Sequence, residues 1–151
     1  MSKIQWELLP FEKLSTAQVY ALLKLRSEVF VVEQQCIFLD MDNKDQHCFH
    51  LLGWKENELV AYTRLVPPGI SYAQASIGRV VTSLLVRRTG IGRELMKRSI
   101  TAVQDLFSAT TIVIGAQLYL KKFYSSLGFT QSSDIYLEDG IEHIEMTLVI
   151  S

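Results

Sequence analysis

At 151 residues the chain has the length of one ordinary domain, enough to bury a core without disulfide or metal staples. With 48% hydrophobic and 21% charged residues, it is neither a disordered tail nor a low-complexity repeat. Fifteen Lys plus Arg against sixteen Asp plus Glu leave a formal charge of −1. That supplies no global field for a phosphate backbone, so nucleic acid is not an expected partner.

Ile4 to Leu8 alternates apolar and polar side chains and predicts a strand that Pro10 ends. Glu7 and Pro10 also interrupt what a signal peptide would need as an apolar run, and no later stretch is long and apolar enough to span a membrane. Cys36 and Cys48 are the only cysteines and suit reduced thiols, so the expected compartment is the cytoplasm, with no membrane partner. Ser15 or Thr16 caps a predicted helix to about Gln34, with Val19, Leu22, Leu23, Val29 and Phe30 at helical spacing. Arg26 interrupts that stripe, facing a cleft or snorkelling to water. Two strands follow, 49–56 and 58–66, joined by a tight turn and stopped by Pro67-Pro68-Gly69. Further on come a strand over 76–85, a helix from Gly92 to Phe107 and a buried strand over 111–114. A helix from Gln117 to Leu127 is closed by Gly128, and two final strands, 135–137 and 144–150, flank a turn at 138–140. No internal repeat or linker divides residues 1–151, so a single α/β domain of mixed strand order is expected.

The most informative stretch is Arg87-Arg88-Thr89-Gly90-Ile91-Gly92-Arg93, where a strand passes through an R-x-x-G-x-G turn into an amphipathic helix. Such a turn aims backbone amides and the positive end of a helix dipole at one spot, and glycine lets an anion come close. Residues 87–98 hold five cations and only Glu94 as an anion, a local charge of +4. There is no Lys-Ser/Thr pair after Gly92 for a P-loop, and Leu95 stands where a dinucleotide fingerprint needs its third glycine. Downstream, Gln117 and Tyr124 are two helical turns apart on the predicted second helix and would share one face.

Together these two segments, the second ending in Phe123-Tyr124-Ser125-Ser126-Leu127-Gly128-Phe129, resemble the GNAT superfamily of acetyl-CoA-dependent N-acetyltransferases. More narrowly, Leu25 to Gln34, Asp40-x-Asp42-x-x-Asp45, Ile77 to Val81 and Asp139 to Ile144 look like its ElaA-like branch. The resemblance implies a central, mostly antiparallel twisted sheet of about 6–7 strands flanked by about four helices, with a coenzyme A cleft between the fourth and fifth strands. It implies that Val80, Val81 and Thr82 offer backbone groups to pantetheine and that the amides from Arg87 through Arg93 hold the pyrophosphate. Gln117 and Phe123 would also touch the cofactor, and Tyr124 matches the tyrosine that serves as general acid. Leu84 and Arg88 stand where members often have Pro and Gly, so the loop backbone departs from the usual form.

Acetyl transfer from a thioester to an amine needs a free amine, a polarised carbonyl and a proton for sulfur. A phenol of pKa about 10 is protonated at neutral pH and can donate to a thiolate whose thiol titrates at about 8.5. Carbonyl polarisation can come from backbone amides, which leave no trace in sequence. Glu33, His50 and His143 are the candidate bases. No metal is expected: an EF-hand would need ligands where Lys44 and Leu51 stand, and His47-Cys48-Phe49-His50 has no second ligand pair. Asp134, Glu138, Asp139, Glu142 and Glu145, with Glu33, Asp40, Asp42 and Asp45, form an acidic set that could draw in a cationic amine. The acceptor is then a small-molecule or peptide amine. The competing expectations are a catalytically silent CoA-binding regulatory module and a plain interaction domain. The exposed C-terminal strands leave a homodimer open.

Overall fold

The computed structural model describes residues 3–150. Strand β1 (Ile4–Pro10) leads to α1 (Thr16–Arg26), which continues as a π-helix over Ser27–Glu33. Next come β2 (Phe49–Lys55), β3 (Glu58–Val66), β4 (Ser76–Thr82) and α2 (Ile91–Phe107). The last third contains β5 (Thr111–Gln117), α3 (Lys121–Ser125), β6 (Thr130–Gln131), β7 (Tyr136–Glu138) and β8 (Ile141–Val149). Ser15 starts α1 as expected: its hydroxyl accepts from the Gln18 amide while the Gln18 side chain accepts from the Ser15 amide.

The strands form two antiparallel sheets, one ordered β1-β2-β3-β4 and the other β5-β8-β6 with β7 also on β8. Among the described residues the sheets join through one parallel bridge, Ala75 with Ile112, where the Val113 amide donates to the Ala75 carbonyl at 3.0 Å. Beyond it β4 and β5 part, and their facing edges stay unpaired. Helices α1 and α2 both pack on β3 and β4. Leu22, Leu25, Leu52 and Tyr62 are buried with α1, and Met96, Val103, Ile112, Ile144 and Met146 with α2.

The fold class matches expectation, with different counts: eight strands in two sheets and three α-helices among the described residues, against about 6–7 strands and four helices. The strand expected over 135–137 is present as β7, and the additional strand is β6, whose two residues are too short to show a period. The strand expected over 76–85 stops at Thr82, because the Ser83 hydroxyl accepts from the Leu85 amide and turns the chain into a 3₁₀ turn at Leu84–Val86. Gln117 is not helical. It pairs with His143 at the end of β5, and a 3₁₀ turn at Leu118–Leu120 precedes α3, so Gln117 and Tyr124 do not share a helix face. The strand pairing decides this, since each further β5–β8 pair satisfies backbone groups that a helix start would leave open.

Candidate active site

A cleft of about 600 Å³ opens where β4 and β5 part. One end is the turn before α2. Arg88 and Gly90 adopt left-handed backbone, φ +64° and +86°, and a Cβ built on Gly90 would meet nothing within 4 Å. The amides of residues 88–90 find no acceptor among the described residues, and the first amides of α2 have none within the helix. Alternating left-handed positions at a helix start form a concave nest of N–H groups that suits an anion.

Of the residues expected to hold the cofactor, Val80, Val81, Thr82, Arg87, Arg88, Gly90, Gly92, Arg93, Gln117 and Phe123 line the cleft. The side chains of Thr89 and Ile91 do not. The Thr89 hydroxyl turns back onto the Val86 carbonyl, and Ile91 packs against the core formed by Leu51, Ala61 and Leu95. The local charge of +4 is divided as well: Arg98 lies over the Trp6 ring at 5.0 Å and bonds Glu94 at 2.9 Å, on a surface outside the cleft. Only Arg87, Arg88 and Arg93 of the five cations line it.

Tyr124, Glu33 and His143 all reach the cleft. Tyr124 is 5% exposed, and its hydroxyl bonds no described residue. Burial, with Tyr119 nearby, pushes this phenol well above its ordinary value, so it stays protonated. Glu33 accepts from both terminal nitrogens of Arg87, at 2.5 and 2.8 Å. The bond from Arg87 holds the Glu33 carboxyl below the usual range. His143 stacks on Tyr136 with ring centroids 5.8 Å apart. Its Nδ1 donates to the Ile141 carbonyl at 2.8 Å, and Nε2 faces Glu138 at 3.5 Å.

His50, the third candidate base, is removed from the site. It is fully buried, with Nε2 on the Asp45 carbonyl at 2.9 Å and Nδ1 on the Tyr62 hydroxyl at 2.5 Å. Arg26 neither faces the cleft nor reaches water: it is 0% exposed and bonds Asp40 at 2.7 Å and Asp45 at 2.9 Å. Arg64 takes Asp42 and Asp45, and Arg79 takes Asp40 and Asp42. The expectation that Asp40, Asp42, Asp45 and Glu33 draw in a cationic amine is therefore corrected, because arginines already neutralise them.

Sequence reading missed the irregularity of β4. Between the pairs Tyr62–Val81 and Arg64–Gly78, β3 contributes Thr63 alone while β4 contributes Arg79 and Val80, a β-bulge. Gly78, a lone glycine in a strand pattern, was the signal available. Also missed was the strap over the cleft. The Gln34 amide exchanges bonds with that of Gln117 at 3.2 and 3.3 Å, and the Cys36 thiol donates to the Asp139 carbonyl at 3.3 Å.

A split sheet with a left-handed turn at the start of the helix after β4 thus gives a cleft whose one end suits an anion. Residues 14–150 match the model of the acetyltransferase (GNAT) domain, and the chain belongs to that family. It is similar to the protein ElaA of Escherichia coli, 41% identical over 145 residues that cover 95% of each chain. The crystal structure of E. coli ElaA superimposes with a TM-score of 0.91 at 39% identity, covering 97% of this chain and 99% of that one. An acyl-CoA N-acyltransferase from Pseudomonas aeruginosa gives 0.90 at 39% identity, with 96% and 99% covered. The protein is accordingly an acetyltransferase enzyme of the GNAT type.

Proposed function

We propose that the protein transfers an acetyl group from acetyl-CoA to a primary amine by direct attack within a ternary complex, with Tyr124 as the general acid. The observation that carries this reading is the buried Tyr124 side chain, whose protonated hydroxyl bonds no described residue, on the wall of the cleft that ends in the anion nest. The nest and Arg87, Arg88 and Arg93 fit a pyrophosphate, and the unpaired edge of β4 fits the amide-bearing pantetheine arm. The thioester supplies an acyl carbon open to an amine nucleophile. Backbone amides at the β4 bulge polarise the carbonyl, and Tyr124 gives its proton to the departing sulfur.

His143 serves as the base. Its Nδ1–H is committed to the Ile141 carbonyl, so in the neutral ring Nε2 carries the lone pair. The charge the ring gains on taking the amine proton lies beside Glu138. Glu33 remains at the site as the holder of Arg87, since a carboxylate held low by an arginine is a weak proton acceptor. Acceptors are small-molecule amines, lysine side chains or N-terminal amines.

Thiol release from acetyl-CoA over a panel of primary amines tests this, with desulfo-CoA titrated by calorimetry. Tyr124→Phe lowers kcat about 100-fold and leaves desulfo-CoA affinity unchanged. Wild-type kcat in that variant removes Tyr124 from the chemistry, and cofactor binding without turnover on any amine favours a silent CoA-binding module.

A further inference from the structure

Arg79 carries left-handed backbone, φ +50°, at the first of the two β4 residues in the bulge. Only glycine adopts that conformation readily, and it is glycine that bulges with a left-handed first residue select. An arginine held there signals that the surroundings impose the conformation. Its side chain is clasped by the loop that follows the π-helix. Nε donates to Asp40 Oδ1 at 2.8 Å, and one terminal nitrogen donates to the Asp40 carbonyl at 2.7 Å and Asp42 Oδ2 at 3.4 Å. Asp40 is itself locked from behind: its Oδ2 accepts from the fully buried Arg26 at 2.7 Å. Asp42 is held in a fork by Arg64 at 2.8 and 2.9 Å. Arg79 thus ties the β4 backbone to the loop after the π-helix, while Gly78, Arg79 and Val80 line the cleft.

We propose that Arg79, clasped by Asp40, is a positioning residue: it holds the bulge that aims the β4 amides at the acyl carbonyl and fixes the acceptor-side loop on the same backbone. The assignment rests on the proposed reading that the thioester lies along β4. The clasp acts on geometry and exchanges no proton with substrate. A shift of about 1 Å in a polarising group is enough to cost about 100-fold in rate, whereas the anion nest some residues away keeps its grip on the carrier.

The test compares Arg79→Ala with Arg79→Gly. Both lose the clasp, but only glycine keeps the left-handed backbone without a steric penalty. Asp40 retains Arg26 in both, so neither variant strands it without a partner. Arg79→Ala is expected to lower kcat about 10-fold to 100-fold with desulfo-CoA affinity unchanged, and Arg79→Gly to recover part of that loss. Arg79→Lys, which keeps the charge but not the fork, falls with alanine. Wild-type kcat in Arg79→Ala, or equal loss in the alanine and glycine variants, overturns the proposal, because a purely stabilising ion pair would not distinguish them. If the wild-type protein releases no thiol with any amine, the function reading has failed, and the clasp is judged by melting. A Tm for Arg79→Gly above that of Arg79→Ala by about 2–4 °C supports it, and the reverse order overturns it.

Discussion

The two oxygens of Glu33 occupy the first cation of the phosphate loop, and Arg87 also donates to the Thr82 carbonyl at 3.1 Å. An incoming pyrophosphate must compete with that carboxylate for the same guanidinium. Glu33→Gln is therefore expected to tighten CoA binding by up to about fivefold, the scale of a solvent-accessible ion pair, and Arg87→Ala to weaken it. Calorimetry at two salt concentrations measures both, and weaker binding by Glu33→Gln would show that Glu33 pre-orients Arg87. At this scale many of the side chains that line the cleft were legible, because Tyr124, His143 and the loop arginines sit in spaced motifs. The fates of Glu33, His50 and Arg26 were not: each depends on a partner at least 12 residues away, Arg87, Tyr62 and Asp40.

The first helix shows what a segment can hide. Its apolar spacing carries it to the expected end, but from Ser27 the ladder widens to a π-helix, and the amides of Gln34 and Cys36 reach the carbonyls of Val29 and Val31. Phe30, Glu33 and Gln34 of this wider turn line the cleft. In β2, a register shift follows Gly53, and a Cβ there would meet the Trp6 ring at 2.8 Å and Ala61 Cβ at 3.1 Å. Gly53→Ala is expected to destabilise by about 1–3 kcal/mol through overpacking, read as a lower urea midpoint. An unchanged midpoint would mean that Trp6 shifts freely. Elements with long periods, α2 above all, were readable from sequence. The bulge in β4 and the extension of β5 to Gln117 were not, since both are set by which residue a neighbouring strand pairs with.

Across the molecule, Arg26, Arg64 and Arg79 with Asp40, Asp42 and Asp45 tie α1, the 40–45 loop, β3 and β4 into one buried network. Burial alone would raise the carboxyls of Asp42 and Asp45, but the bonds from Arg64 and Arg26 outweigh it and hold both below the ordinary range. The stability they contribute is present above the unfolded carboxyl pKa, about 3.9, and is lost as pH falls through the lower folded values. His50 adds an earlier window: burial depresses it, so the unfolded chain binds its proton first and stability falls below about pH 6.5. Urea midpoints between pH 8 and 3 should show a shallow decline below about 6.5 and a steeper one below about 4. His50→Gln should abolish the shallow phase, and a slope retained in that variant would assign it to other groups.

What the sequence determined by itself was whatever local pattern carries: the strand and helix periods, the capping serine, the glycine turn before α2, and the motif residues of the GNAT family. What only the tertiary structure decided was how distant segments meet: the parting of β4 from β5, the bulge at Arg79, the neutralised aspartates and the strap from Gln34 to Gln117. The physical reason is range. Backbone preference and side-chain period act over a few residues and are written in neighbouring letters, whereas register, ion pairing and burial depend on partners that only the folded chain brings together.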